Sequence, residues 1–82
     1  MKATVKVMLR KGVLDPQGKA IGNALHTLGF SGVSEVRQGK LIEIALPDGE
    51  DQATLRQSLA QMCEKLLVNP VIEDYEITLS DK

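Results

Sequence analysis

From Lys2 to Leu9 apolar and polar residues alternate, with Ala3, Val5, Val7 and Leu9 on one side, the period of a half-buried strand. The spacing then changes. Between Pro16 and Leu28 the apolar positions are Ala20, Ile21, Ala24, Leu25 and Leu28, which lie on one helix face, and Gly29 follows as a natural C-terminal cap. Asp15-Pro16 is a good helix start, because a carboxylate can accept from free backbone N–H groups and proline suits the first helical position. Val33 to Gln38 predicts a second strand, Gly39-Lys40 a type II′ hairpin turn, and Leu41 to Leu46 a third strand with Ile42, Ile44 and Leu46 on one side. Pro47-Asp48-Gly49 breaks the pattern. Asp51 or a near neighbour caps a second helix lined by Leu55, Leu59, Met62, Cys63, Leu66 and Leu67. Asn69-Pro70 stops that helix, and Val71 to Leu79 predicts a last strand with Tyr75, Ile77 and Leu79 on one side.

The order β-α-β-β-α-β is the split βαβ arrangement of the ferredoxin-like α+β class: a four-stranded antiparallel sheet with two helices on one face. The uncovered face carries Thr4, Lys6, Met8, Leu41, Glu43, Ala45, Glu76 and Thr78, a mixture that water can wet and a second subunit can also meet. The whole of 1–82 reads as a single domain.

Size changes what this core can do alone. A chain of 82 residues buries a modest share of its surface, and Cys63, the single cysteine, allows no intramolecular disulfide and no zinc quartet. Phe30 and Tyr75 are the only aromatic residues. Oligomerisation is the remaining common way to bury apolar area, so an obligate or near-obligate oligomer is expected. The first ten residues alternate, unlike a signal peptide, and no apolar run approaches the ~20 residues of a membrane helix; a soluble cytoplasmic protein is expected. Charge is nearly balanced but unevenly placed, at +4 over residues 1–46 and −5 over 47–82. That suits complementary protein surfaces unless the fold interleaves the two halves. A general nucleic-acid binder would be more basic and richer in aromatics.

Catalysis has little to stand on. His26, the one histidine, lies on a helix without the orienting partners an acid–base role requires. Cys63 falls in an apolar stripe and reads as a small core hydrophobe. Glu73, Asp74 and Glu76 read as a solvated strand edge without a metal-ligand complement, so neither a catalytic set nor a metal site is expected. Gly18-Lys19 raises the phosphate question, but five residues separate Gly12 from Gly18 and Ala20 follows Lys19, which is not a P-loop. An anion contact at the helix start stays open beside a structural turn or a protein contact. Gly18 near the helix start and Lys19 at the positive end of its dipole are local compromises, and such compromises often mark contact sites.

Val13-Leu14-Asp15-Pro16-Gln17-Gly18-Lys19-Ala20, then His26-x-Leu28-Gly29-Phe30, then Val33-x-x-Val36-Arg37-x-Gly39-Lys40 with Glu43 after it, resemble the PurS family. The closing Asn69-Pro70-Val71-Ile72-Glu73-Asp74-Tyr75 extends the likeness over nearly the whole chain. This resemblance implies the small subunit of formylglycinamidine ribonucleotide synthase, in purine nucleotide biosynthesis. It implies a non-catalytic adaptor between a glutaminase subunit and an ATP-dependent synthetase subunit, assisting ammonia transfer between them. It implies a homodimer or homotetramer with no cofactor of its own, ATP and magnesium belonging to the synthetase. Nucleic acid and membrane are not expected partners. The expected partner contacts are the helix-start turn, with Asp15, Pro16, Gly18 and Lys19, and the hairpin, with Arg37, Gly39 and Lys40. The leading alternative is a small-molecule-sensing regulatory domain of the same fold, which ligand titration of the isolated chain would expose.

Overall fold

A computed structural model describes residues 1–80. Strand β1 (Lys2–Leu9) is followed by helix α1 (Pro16–Thr27), strand β2 (Gly39–Ala45), helix α2 (Gln52–Met62) and strand β3 (Glu73–Ser80). The sheet is antiparallel with order β2-β1-β3. β1 is therefore the central strand. Val5 stands between Ile42 and Ile77, and Ala3 between Ile44 and Leu79, so the apolar alternations of all strands meet on one face. The other face carries Thr4 beside Glu43 and Thr78, and Lys6 beside Leu41 and Glu76, as the alternation predicted.

Helix α2 covers the apolar face. Its buried Leu55 and Leu59 are continued by Cys63, and Cys63 joins Val5, Val7 and Val68 in the core. After Met62 the helix ends in a π turn, Cys63–Leu67, closed by Val68 N–H donating to the Cys63 carbonyl at 2.9 Å. The extra residue in that turn shifts the register. Leu67 is half-buried while Leu66, placed in the same stripe by a regular helical period, is 83 % exposed.

Three expectations are corrected. Val33–Gln38 is not a strand, so the sheet of one chain has three strands rather than four. Gly39 and Lys40 do not form a hairpin turn; they are extended within β2, opposite Met8 and Val7. The two helices do not share the cover of one face, because α1 has no extended packing against any strand or α2 among the described residues. The physical reason is common to all three. The two ends of 33–38 are tied to α1 and its cap: the Val33 carbonyl faces His26 Nε2 at 2.7 Å, and Gln38 N–H donates to Asp15 Oδ2 at 2.8 Å. The radius of gyration is 16.3 Å, against about 12 Å for a compact domain of this length. α1 stands away from the sheet.

The last strand begins at Glu73 rather than Val71, because the Asn69 carbonyl and side-chain oxygen gather the next N–H groups: Val71 donates to Asn69 Oδ1 at 3.1 Å and Glu73 to the Asn69 carbonyl at 2.8 Å.

Candidate functional site

The β1–α1 connection, the first turns of α1 and the segment 33–37 enclose an open cleft of about 840 Å³. Arg10, Lys11, Asp15, Lys19, His26 and Arg37 stand on its wall. Asp15 builds it. Its carboxylate caps α1, with Oδ1 accepting from Gly18 N–H at 2.9 Å, while Oδ2 accepts from Gln38 N–H. These bonds hold the Asp15 carboxyl below the usual aspartate range: the Gln38 bond contributes most, then that of Gly18, with the Arg37 charge adding a smaller share. Asp15 is thus a rivet between the two walls.

The placement of Gly18 also has a packing cause. A Cβ there would overlap the Val36 carbonyl oxygen and lie 2.7 Å from Asp15 Oδ2, so only glycine lets 33–38 approach the helix. The low helix propensity of Gly18 is accounted for by this close backbone approach.

Of the residues expected to meet a partner, the structure brings Asp15, Gly18, Lys19 and Arg37 together at the cleft. Gly18 is buried, Pro16 is exposed on the first turn of α1, and Gly39 and Lys40 lie outside the cleft wall on β2. The Arg37 guanidinium donates to the Leu9 carbonyl, tying the returning segment to the end of β1. Lys19 and Lys11 have no ion-pair partner among the described residues. Arg10 is committed elsewhere, to the Pro70 carbonyl at 2.6 Å and to Asp74 at 3.5 Å. Lys11 and Arg10 were not among the expected contacts, although a basic pair directly after a strand was the available signal.

The remaining titratable groups are placed in structural roles. His26 is exposed and braces the Val33 carbonyl. Cys63 is buried, and burial pushes its thiol up, with the Glu64 charge adding to the effect, which keeps it protonated and unreactive. No cluster of His, Cys, Asp and Glu suited to a metal occurs among the described residues, and none of their helices is long and apolar enough to cross a membrane. The cleft offers cationic side chains and directional anchors, a combination suited to recognition.

The sequence matches the PurS family, described as phosphoribosylformylglycinamidine (FGAM) synthase, over residues 2–81. Among curated relatives, the phosphoribosylformylglycinamidine synthase subunit PurS of Methanocaldococcus jannaschii is 50 % identical over 76 residues, covering 93 % of this chain and 90 % of that protein. The corresponding subunit of Mycobacterium leprae is 51 % identical over 77 residues, covering 94 % and 92 %. The crystal structure of M. jannaschii PurS, one of the subunits of formylglycinamide ribonucleotide amidotransferase, superposes with a TM-score of 0.84 at 47 % identity, covering 94 % of this chain and 92 % of that one. A chain in the structure of PurLQS from Thermotoga maritima gives a TM-score of 0.84 at 34 % identity, covering 94 % and 93 %. On the family match and on identities of this size across nearly its full length, the chain belongs to the PurS family of phosphoribosylformylglycinamidine synthase subunits.

Proposed function

We propose that this chain is the non-catalytic assembly subunit of phosphoribosylformylglycinamidine synthase in purine biosynthesis, bridging a glutaminase and an ATP-dependent synthetase and assisting ammonia transfer between them. The observation that carries this reading is the likeness to the T. maritima PurLQS structure. The residues fit a supporting part. The thiol of Cys63 is buried in the core and His26 is engaged with a backbone carbonyl, which leaves neither in a nucleophile–base pair. Holding two active sites together and sealed from bulk water is work that a scaffold does without touching substrate.

The cleft with Lys19 and Arg37 is the proposed partner contact, together with Asp15, Pro16 and Gly18 at the helix start and Gly39 and Lys40 at the head of β2. Cofactor chemistry, ATP and magnesium included, is assigned to the synthetase, and the location to the cytoplasm. The chain acts as a homodimer or homotetramer. The order of elements supports a ferredoxin-like relationship, with the three strands corresponding to the first, third and fourth of β-α-β-β-α-β.

The test is co-purification with the glutaminase and synthetase subunits, and glutamine-dependent synthase activity with and without this chain. Loss of that activity on omission, with ammonia-dependent activity retained, is the expected result. Turnover of glutamine or ATP by the purified chain alone, or full coupling in its absence, would sink the proposal. Lys19→Glu should weaken complex formation while the isolated chain stays folded, since Lys19 is exposed and carries no ion pair among the described residues.

A further inference from the structure

The cleft beside α1 presents two kinds of surface. Part of it is cationic: Lys11, Lys19 and Arg37 are exposed there, and neither lysine has an ion-pair partner among the described residues. The rest is apolar. Val13 and Val36 line it half-buried, and Leu14 stands beside them 73 % exposed. Four cations on the wall face two acids, in a chain whose net charge is −1. One of those acids, Asp15, is already engaged by two backbone N–H groups.

A compact anion such as phosphate is poorly served there. A helix start holds one through free backbone N–H groups, and the first turn of α1 keeps none free. Pro16 lacks the N–H, and Gly18 donates to Asp15 Oδ1. Gln17 N–H adds to the hold on the same carboxylate, and Lys19 N–H donates to the Asp15 carbonyl at 3.0 Å. What remains are ammonium groups on long flexible stems, set among exposed leucine and valine carbons. Carboxylates on either side of an apolar side chain match that mixture: the acids meet the lysines while the apolar group covers Leu14. The open volume of about 840 Å³ leaves room for several such side chains.

We propose that this cleft docks an acidic segment of one of the two enzyme subunits, a stretch of polypeptide with Asp or Glu on both sides of a large apolar residue. The inference rests on the adaptor reading above and names the chemistry of its contact. It adds Lys11 and Leu14 to the residues that meet the partner. Charge opposition sets the speed and register of such an encounter, and covering Leu14 supplies the hold. Arg37 is fixed beside them by its bond to the Leu9 carbonyl, so the cationic surface has a defined shape before the partner arrives.

The experiment uses the full chain, with amide signals followed during titration at constant ionic strength. The probes are the peptide Glu-Glu-Leu-Glu-Glu, its neutral counterpart Gln-Gln-Leu-Gln-Gln, and inorganic phosphate. The acidic peptide should shift Val13, Leu14, Lys19 and Val36 with a Kd on the order of 1 mM, and the other two probes should bind about tenfold more weakly or worse. Lys11→Glu with Lys19→Glu should weaken the acidic peptide by roughly tenfold, and Leu14→Ser by about fivefold, while circular dichroism stays unchanged. In the assembled synthase the same variants should raise the amount of chain needed for half of the glutamine-dependent activity. Equal binding of the neutral peptide or of phosphate overturns the inference, as does a titration that leaves the cleft signals still. Cleft signals that move with the concentration of the chain alone place a second copy there and overturn it too. Variants that support full activity at the unaltered concentration sink the inference and leave the adaptor reading standing. Activity that never needed the chain sinks the adaptor reading and takes the inference with it.

Discussion

The body formed by the sheet and α2 and the arm formed by α1 and 33–38 are held by different forces. In the body, Ala3, Val5, Leu59 and Cys63 are fully buried, and the strands are paired along their length. In the arm only Gly18 is buried within α1, and the anchors are polar: Asp15 to two backbone N–H groups, His26 at the Val33 carbonyl, Arg37 to the Leu9 carbonyl. Non-directional burial tolerates small shifts but responds steeply to lost volume. Directional bonds fix a shape without contributing much net stability. The body should unfold as a unit, and the arm should loosen locally while the body stays intact.

The largest expected effect belongs to the body. Leu59→Ala removes a fully buried side chain from the α2–sheet contact and should lower stability by about 2–5 kcal/mol, read by urea unfolding. A cost below that of an exposed substitution would mean that α2 is not the main cover of the sheet. Next comes Gly18→Ala in the arm. The new methyl meets the Val36 carbonyl, and local overpacking of this kind costs about 1–3 kcal/mol, so amide exchange in α1 should speed up. Exchange in β1 should not change; if it did, arm and body would be one cooperative unit.

The smallest effect is a titration. The Asp15 carboxyl is held low in the folded arm, so its contribution is present above the ordinary aspartate pKa and disappears as pH falls through the lowered folded value. The Gly18 and Gln38 amide signals should therefore shift with a midpoint more acidic than that of an unstructured aspartate. Asp15→Asn should abolish that titration and leave the helix start in place, since an amide oxygen still caps. A midpoint at the ordinary value would mean that the two N–H bonds do not form in solution.

The sequence carried the body further than the arm. Alternation in β1 and around Ile42, Ile44, Ile77 and Leu79 put the right residues on the core face, because both partners of each pair obey the same period. The Asp15-Pro16 start was legible because a cap is a local device. Val33–Gln38 and Gly39-Lys40 were not, since strand and hairpin preferences there are overridden by what Asp15, His26 and the Val36–Gly18 approach do with the same backbone. The π turn was likewise hidden: nothing in Cys63–Leu67 departs from an ordinary helical period until Leu66 is found outside. Of the cleft, the Asp15–Lys19 turn could be read from its broken helix rules, while the reason for Gly18 needed the position of Val36.

The earliest strand of the chain is the middle one of the sheet, and this governs the order in which the molecule can be made. β1 pairs with β3 from Lys2 to Ser80, a long separation in sequence. During synthesis the first strand must therefore wait with one side unfilled until residues 73–80 have left the ribosome. Closing so long a loop is slow relative to local helix formation. The nascent chain is thus exposed to sticking and premature capture until β3 follows, and a product stalled before it keeps a raw β1 flank that the folded protein does not show.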